Sequence, residues 1–182
     1  MTVRRRIIAT TIATAAVGML GVASTASAGT VTATPVQHTA APERHDAQRS
    51  SLRLAHAVET AWNTNNAAGL AGLFTKDGIY IDYAIGATMH GRDEIAAWES
   101  GTHQLIGNVH IQVLNAFGDR NHVAIESIYS GHIQGAPKPF AVNLTSIIEL
   151  SHGKIISNKD YYNLAAVLAQ SGLPADWTPP TA

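Results

Sequence analysis

The sequence predicts an α+β domain in which helices pack on one face of a mostly antiparallel sheet. Apolar residues in the first half of the domain, up to about residue 101, recur mainly at helical spacing. Residues 109–161 instead contain four runs rich in β-branched and aromatic residues, joined by turn-forming segments. Helices followed by a block of consecutive strands are typical of α+β domains, because alternating α/β folds interleave the two.

The N-terminus has the pattern of a secretory signal peptide. Arg4, Arg5 and Arg6 precede an apolar run over residues 7–22, and Ala26-Ser27-Ala28 forms a small-residue cleavage site. We therefore predict a signal peptide over residues 1–28 and a secreted protein. The apolar run is short and no stop-transfer pattern follows it, so no stable membrane anchor is expected. Arg4-Arg5 followed by Ile7 and Ile8 is also compatible with twin-arginine export, although it is a weak match to that signal.

Composition sets the remaining domain boundaries and excludes one class of partner. Residues 29–50 are rich in Thr, Ala, Pro and charge and are predicted to form a disordered linker. The domain is predicted over residues 51–174, with a flexible tail over 175–182. Without the leader, the chain has nine basic and thirteen acidic residues and a net charge of −4. It has no basic run, so no nucleic acid partner is expected, and no cysteine for disulfides or thiol chemistry.

Three helices are predicted before the main sheet. The first, capped by Ser50 or Ser51, places a continuous apolar face on the core: Leu54, Val58, Ala61 and Trp62. The second ends at Asp77-Gly78, and the predicted strand 79–84 follows it. The third begins at Gly91-Arg92-Asp93-Glu94, buries Ile95 and Trp98, and is predicted to end at Gly101.

The remaining predicted strands span 109–117, 122–130, 140–150 and 155–161. The last strand leads directly into a helix for which Asn163 is a suitable N-cap and Gly172 a suitable C-terminal stop. Asp160 lies inside this strand, where an acidic residue fits a buried pleat poorly. Its position requires an explanation.

Asp160-Tyr161-Tyr162-Asn163, followed by Gln170-Ser171-Gly172, resembles the end of SnoaL-like polyketide cyclases, which close with Asp-aromatic-x-Asp and a helix ending in Gln-Leu-Gly. Trp62-Asn63 and Gly91-Arg92-Asp93-Glu94-Ile95 add to this resemblance. It implies the nuclear-transport-factor-like fold, a cone of strongly curved sheet around an internal pocket. It also implies that Asp160 is a general acid. A strand-end aspartate that only bonds nearby backbone is the alternative.

A second resemblance concerns Asp82. Residues 77–91 resemble the stretch of ketosteroid isomerases that carries their proton-transferring aspartate, and this implies the same role for Asp82; a residue at the rim of the pocket is the alternative. The similar limonene epoxide hydrolases carry Arg-x-Asp where this chain has Ser127 and Tyr129. Epoxide hydrolysis by their mechanism is therefore not expected.

Strand alternation supplies the other pocket candidates, because residues two apart share a face. On the last strand Ile156, Asn158, Asp160 and Tyr162 are predicted to point into the pocket. His110 is either a pocket residue or a solvent-facing strand residue. The nine histidines lack metal-site spacing, so no metal is predicted. The further pocket candidates are Tyr80, Trp98, His110, Ser127, Tyr129 and Tyr162.

These observations predict an exported SnoaL-like domain with an apolar pocket for a small hydrophobic ligand. A carboxyl group in such a pocket has a raised pKa and can transfer protons near neutral pH. The predicted activity is cofactor-independent acid–base catalysis on a carbonyl compound. A non-catalytic binding protein is the alternative, and a module that acts only by pairing through its outer sheet face is a third possibility. Apolar residues on both strand faces predict a homodimer.

Overall fold

A computed structural model describes residues 40–179 of the chain; the predicted signal peptide and residues 29–39 lie outside this range. The helices among the described residues are α1 (Ala40–Asn63), α2 (Ala67–Leu73), α3 (Gly91–Leu105) and α4 (Leu164–Ser171). The strands are β1 (Phe74–Asp82), β2 (Ala87–His90), β3 (Ile106–Gly118), β4 (His122–Ile133), β5 (Phe140–Ser151) and β6 (Lys154–Tyr162).

The six strands form one open sheet in the order β2-β1-β6-β5-β4-β3. All neighbours are antiparallel except β1 and β6, which run parallel. Helix α1 packs against β3, α3 packs against β1 and α2, and α4 packs against β5. The predicted α+β class, with helices on a curved and mostly antiparallel sheet, is confirmed. The single parallel pair matters because it brings the two aspartate-bearing strands together.

The first helix is longer than the sequence pattern predicts. It begins at Ala40, so residues 40–50 of the predicted linker are helical. This segment has no apolar period, but it contains Ala, Glu, Arg and Gln, which favour helix. It is also tied to the sheet, since Gln48 donates a hydrogen bond to the carbonyl of Ala116 at 2.7 Å and Ser51 is fully buried. Contacts with the sheet thus extend the helix past the point where its apolar face ends.

Several other features differ from the prediction. Strand β1 begins at Phe74 rather than at residue 79, and the short strand β2 was not predicted. Helix α3 continues past Gly101 to Leu105, because a glycine in a helix interior costs only about 1 kcal/mol. At the C-terminus, Trp177 packs against the cluster around Phe140 and Val167, so the predicted flexible tail begins with packed structure.

The closing helix α4 forms as predicted. The side chain of Asn163 accepts a hydrogen bond from the backbone N–H of Ala166 at 3.0 Å, which satisfies one of the free donors of the first turn. Gly172 adopts φ 74°, the left-handed conformation in which glycine carries no steric penalty. Both ends of this helix are therefore encoded locally, and the predicted cap and stop are confirmed.

Candidate functional site

A cavity lies between the helix-covered face of the sheet and helices α1 and α3. Its volume is about 50 Å³, which is room for roughly three to five waters. Every strand except β2 contributes to its wall. Most of the wall is apolar, and the aromatic side chains that line it are Trp62, Tyr80, Trp98, Tyr129 and Tyr162.

Asp160 is one of two acids that are almost fully buried in this cavity. It lies on β6 and is 6% exposed. Its Oδ1 accepts hydrogen bonds from the Ser146 hydroxyl at 2.6 Å and from the Asn158 amide at 2.9 Å, and its Oδ2 is bonded to the Tyr80 hydroxyl. Burial raises the pKa of Asp160, while these three hydrogen bonds act in the opposite direction.

Asp82 lies at the end of β1 and is also buried. Its Oδ1 accepts the backbone N–H groups of Ala84 and Ile85 at 3.0 and 3.3 Å, and its Oδ2 accepts the Tyr162 hydroxyl at 3.0 Å. Burial raises the pKa of Asp82 to about 6; the bond from Tyr162 lowers this pKa and the charge of Asp160 raises it further. Asp82 therefore changes its protonation state close to neutral pH.

The two carboxyl groups form a reciprocal arrangement across the parallel strand pair. Asp82 is the register partner of Asp160, and Tyr80 is the partner of Asn158. Each strand thus presents a tyrosine and an aspartate two residues apart, on the same face of the sheet. The tyrosine of one strand is bonded to the aspartate of the other, Tyr80 to Asp160 and Tyr162 to Asp82. The repeat Tyr-x-Asp on β1 and Asp-x-Tyr on β6 encodes this pattern.

Over residues 40–179, the two aspartates of the cavity wall have no basic partner. Among the described residues that line it, none is Lys, Arg or His. The third acid of the wall, Glu59, is bonded to the imidazole of His56 at 2.8 Å and to the backbone N–H of Val113 at 2.9 Å. Asp82 and Asp160 are therefore satisfied only by neutral donors.

Tyr129 supplies a hydroxyl for which the described residues provide no hydrogen-bond partner. Its ring packs edge-on against Phe140 and Tyr162, with ring centres 5.0 and 5.7 Å apart. Burial raises its pKa, so the phenol stays protonated. Ser127, two residues earlier on β4, donates a long hydrogen bond to the carbonyl of Leu144 at 3.4 Å. Of these two hydroxyls, Tyr129 is the one available to a ligand.

The helices close the cavity with tryptophans. Trp62 on α1 is 7% exposed and lies edge-on to Tyr80, with ring centres 6.5 Å apart. The imidazole of His103 stacks on Trp62, with ring centres 6.1 Å apart, and its Nε2 bonds the Trp62 carbonyl at 2.9 Å. Trp98 on α3 also faces the cavity and is only partly buried. Both tryptophans therefore line the cavity, and Trp62 is the more deeply buried of the two.

The structure brings most of the sequence-predicted site residues into one cavity but places two outside it. His110 is exposed on the outer face of β3, where Ile111 and Val113 take the inward positions. Ile156 was expected to share a face with Asp160 but is 39% exposed, because an irregularity in the β5–β6 pairing at this point changes the alternation. The predicted residues that line the cavity are Tyr80, Asp82, Trp98, Ser127, Tyr129, Asp160 and Tyr162.

Two further residues contact Asp160. Asn158 was predicted to share its inward face but was not named as a candidate site residue, and Ser146 was not predicted at all. Ser146 belongs to β5, and its role follows from the register that makes it the pairing partner of Asp160. That register cannot be read from the sequence around Ser146.

No group of three His, Asp or Glu side chains in the range 40–179 is arranged to hold a metal ion. Over the same range, no helix is long and apolar enough to cross a membrane.

An open α+β sheet with an acid-lined apolar cavity on its helix-covered face is the architecture of nuclear-transport-factor-like proteins. The sequence profile described as a SnoaL-like domain matches residues 54–158, more than half of the chain. The protein therefore belongs to the SnoaL-like family. No curated protein matches the chain.

Solved structures agree with this assignment. A protein of ketosteroid isomerase-like fold from Catenulispora acidiphila DSM 44928, in complex with trimethylamine, is 48% identical, covers 69% of this chain and 97% of its own, and has a TM-score of 0.68. A protein assigned as a SnoaL-like polyketide cyclase from Jannaschia sp. CCS1 is 12% identical over 70% of this chain and 95% of its own, with a TM-score of 0.62. An epoxide hydrolase of the limonene epoxide hydrolase type from M. tuberculosis is 15% identical over 68% and 90%, with a TM-score of 0.57. At these identities the last two show the shared fold only.

Proposed function

We propose that this domain catalyses cofactor-independent proton transfer on a small hydrophobic carbonyl compound, as in an isomerase, dehydratase or cyclase. The observation that carries the proposal is the pair of buried carboxyl groups, Asp82 and Asp160, each bonded to a tyrosine in one apolar cavity. Burial raises both pKa values, and this favours acid–base chemistry near neutral pH. The complex of the Catenulispora relative with trimethylamine supports a ligand of only a few heavy atoms.

The two carboxyl groups take different roles in this mechanism. Ionised Asp82 removes a proton from the carbon next to the carbonyl group. In the structure the Tyr80 hydroxyl donates to Asp160. When Asp160 is protonated this bond reverses, so Asp160 donates to the oxygen of Tyr80 and the Tyr80 proton is free for the substrate oxygen. The hydroxyl of Tyr129 donates a second hydrogen bond to the same oxygen. The C–H bond breaks as the O–H bond of an enol forms. Asp82 then returns its proton to a second carbon, and the enol proton returns to Tyr80. These steps complete an isomerisation and restore Asp82 and Asp160 to their starting states.

Proton exchange next to a carbonyl group tests this proposal without knowledge of the natural substrate. Small ketones and aldehydes in D₂O should lose their α-proton NMR signals faster with the protein than without it. The base must be ionised, so the rate should rise with pH through about 6 and then level off. In Tyr162→Phe the midpoint should move to higher pH, because the bond from Tyr162 lowers the pKa of Asp82.

Glu126→Gln is the matched control, since Glu126 is an exposed carboxylate on the outer face of β4. Its midpoint should equal that of the wild type. Ligands that bind without accelerating exchange would instead support a non-catalytic binding protein. A rate that falls as pH rises through this range would contradict the role of Asp82 as base.

We further propose that the mature protein is exported and forms a homodimer. The leader motif supports export, and an exposed apolar set on the outer sheet face supports pairing; it includes Ile147, Ile156 and the stacked pair Tyr83 and Tyr161. Native mass spectrometry of the secreted protein should give the mass of two chains that begin at Gly29. A single chain, or a chain that retains Arg4, would contradict the corresponding part of this proposal.

A further inference from the structure

We infer that the cavity selects a compact organic cation of the alkylammonium class over a neutral molecule of the same size. This inference names the ligand class of the proposed catalytic site and therefore rests on that site. It depends on the charge and shape of the cavity wall, and both can be tested without turnover.

The first step is that Asp82 is built to hold a negative charge. Its Oδ1 accepts two backbone N–H groups, from Ala84 and Ile85. A backbone N–H can only donate, and a carboxylate oxygen accepts more strongly than a neutral one, so both bonds lower the pKa of Asp82. The Tyr162 hydroxyl occupies the other oxygen as a donor. All three bonds favour the ionised carboxylate once pH permits it.

The second step is that the protein supplies no cation to balance this charge. The basic side chains near the site on β6 and α3 are engaged elsewhere. His103 bonds the Trp62 carbonyl and lies 3.4 Å from Glu99. Lys154 donates to the carbonyl of Gly72. Lys159 forms an ion pair with Glu149 at 2.7 Å, and the guanidinium of Arg92 donates two hydrogen bonds to the carbonyl of Phe74. No basic residue lines the cavity among the described residues. An unbalanced buried carboxylate is costly, and a bound cation removes that cost.

The third step is that the remaining wall suits an alkylated ammonium group rather than a metal ion. Aromatic rings attract cations through their faces, and this attraction is strongest when water is excluded. Trp62, Trp98, Tyr129 and Tyr162 surround the space next to the two acids. Their apolar surface would bury methyl groups. Since a volume of about 50 Å³ holds roughly three to five waters, it suits a ligand of roughly three to five heavy atoms.

A cationic ligand also fits the proposed chemistry. A positive charge close to the carbon that loses its proton stabilises the enolate formed there. The natural substrate class is then a small carbonyl compound that carries an alkylammonium group. The ammonium group lies against Asp82 and the tryptophans, and the carbonyl oxygen lies against Tyr80 and Tyr129.

Calorimetric titration with tetramethylammonium chloride and with tert-butanol, which have equal numbers of heavy atoms, tests the selection. At about pH 8, in matched salt, the cation should bind at least about tenfold more tightly than the alcohol. Its affinity should fall by about tenfold or more at pH ~4.5, where Asp82 is protonated. In Asp82→Asn the cation should lose a similar factor and the alcohol should lose none.

Asp93→Asn is the matched control, because it removes the same charge from an exposed acid in the first turn of α3. It should leave both affinities unchanged, and circular dichroism should show that both variants are folded. Equal affinity for cation and alcohol, no binding of the cation, or an equal loss in Asp93→Asn would overturn the inference. If the wild type also accelerates α-proton exchange in neutral ketones, the proposed function would stand while the inference falls. Cation binding without any exchange would leave the inference standing alone.

Discussion

Substituting Trp62 with alanine is expected to lower the free energy of unfolding by about 3–5 kcal/mol, the usual cost of removing a large buried aromatic side chain. Trp62 is 7% exposed. Its ring packs edge-to-face with Tyr80 and stacks with the imidazole of His103, with ring centres 6.5 and 6.1 Å away. Its removal leaves a space in the helix layer that the fixed backbone of α1 and α3 cannot fill. Denaturant unfolding followed by circular dichroism measures the loss.

Trp98→Ala is the natural comparison, because the sequence pattern assigned Trp98 and Trp62 the same buried role. In the structure Trp98 is partly exposed and borders a cavity that already exists. Its removal enlarges that cavity and should cost clearly less than the removal of Trp62. Equal losses in the two variants, or a Trp62 variant as stable as the wild type, would show that the packing around Trp62 does not support the helix layer.

The sequence predicts well what is encoded by residues close together in the chain. The N-cap at Asn163 and the stop at Gly172 depend on side-chain and backbone geometry within one turn of helix, and both form. Likewise Tyr80 and Asp82 share a face simply because they are two residues apart in a strand. Such features depend little on the rest of the fold.

The contacts of Asp160 show where sequence-based prediction ends. Counting back from the tight turn at His152 and Gly153 would pair Asp160 with Thr145. The irregularity near Ile156 shifts the register by one residue and pairs Asp160 with Ser146 instead. The same shift turns Ile156 outward. A bulge of this kind depends on how two strands fit against the helices, and no residue in the segment specifies it.

The position of Asp82 next to Asp160 also depends on the pairing of strands that are far apart in the sequence. Their strands lie far apart in the sequence and meet as the only parallel pair of the sheet. Alternation could place each aspartate on a face, but it could not predict that Tyr80 would reach Asp160 and that Tyr162 would reach Asp82. For His110 the strand was predicted correctly, but the sequence did not determine which face of the sheet its side chain would lie on. Register shifts near Gly107 and Val113 interrupt the pairing of this strand with β4, so alternation alone does not fix the face.

Asp160→Asn is expected to reduce proton-transfer turnover by roughly 10²–10⁴-fold, the range for loss of a general acid or base. The amide can keep every hydrogen-bond partner of the carboxyl group. Its oxygen accepts from Ser146 and Asn158, and its NH₂ can donate to the oxygen of Tyr80, which reverses the bond that the Tyr80 hydroxyl donates to Asp160. The fold and the affinity for a neutral ligand should therefore be kept, within a few-fold for affinity. Only the ability to release a proton through Tyr80 is lost.

Stability measurements separate this catalytic role from a structural one. Burial raises the pKa of Asp160, so ionisation penalises the folded state as pH rises above the ordinary carboxyl range. Asparagine removes that penalty, and the variant should gain stability relative to the wild type as pH rises from acid to neutral. Asp160→Ala, which deletes all three hydrogen bonds, should instead be destabilised at every pH. If Asp160→Asn loses stability while the exchange rate per folded molecule is unchanged, Asp160 holds the strands together and does not carry the proton.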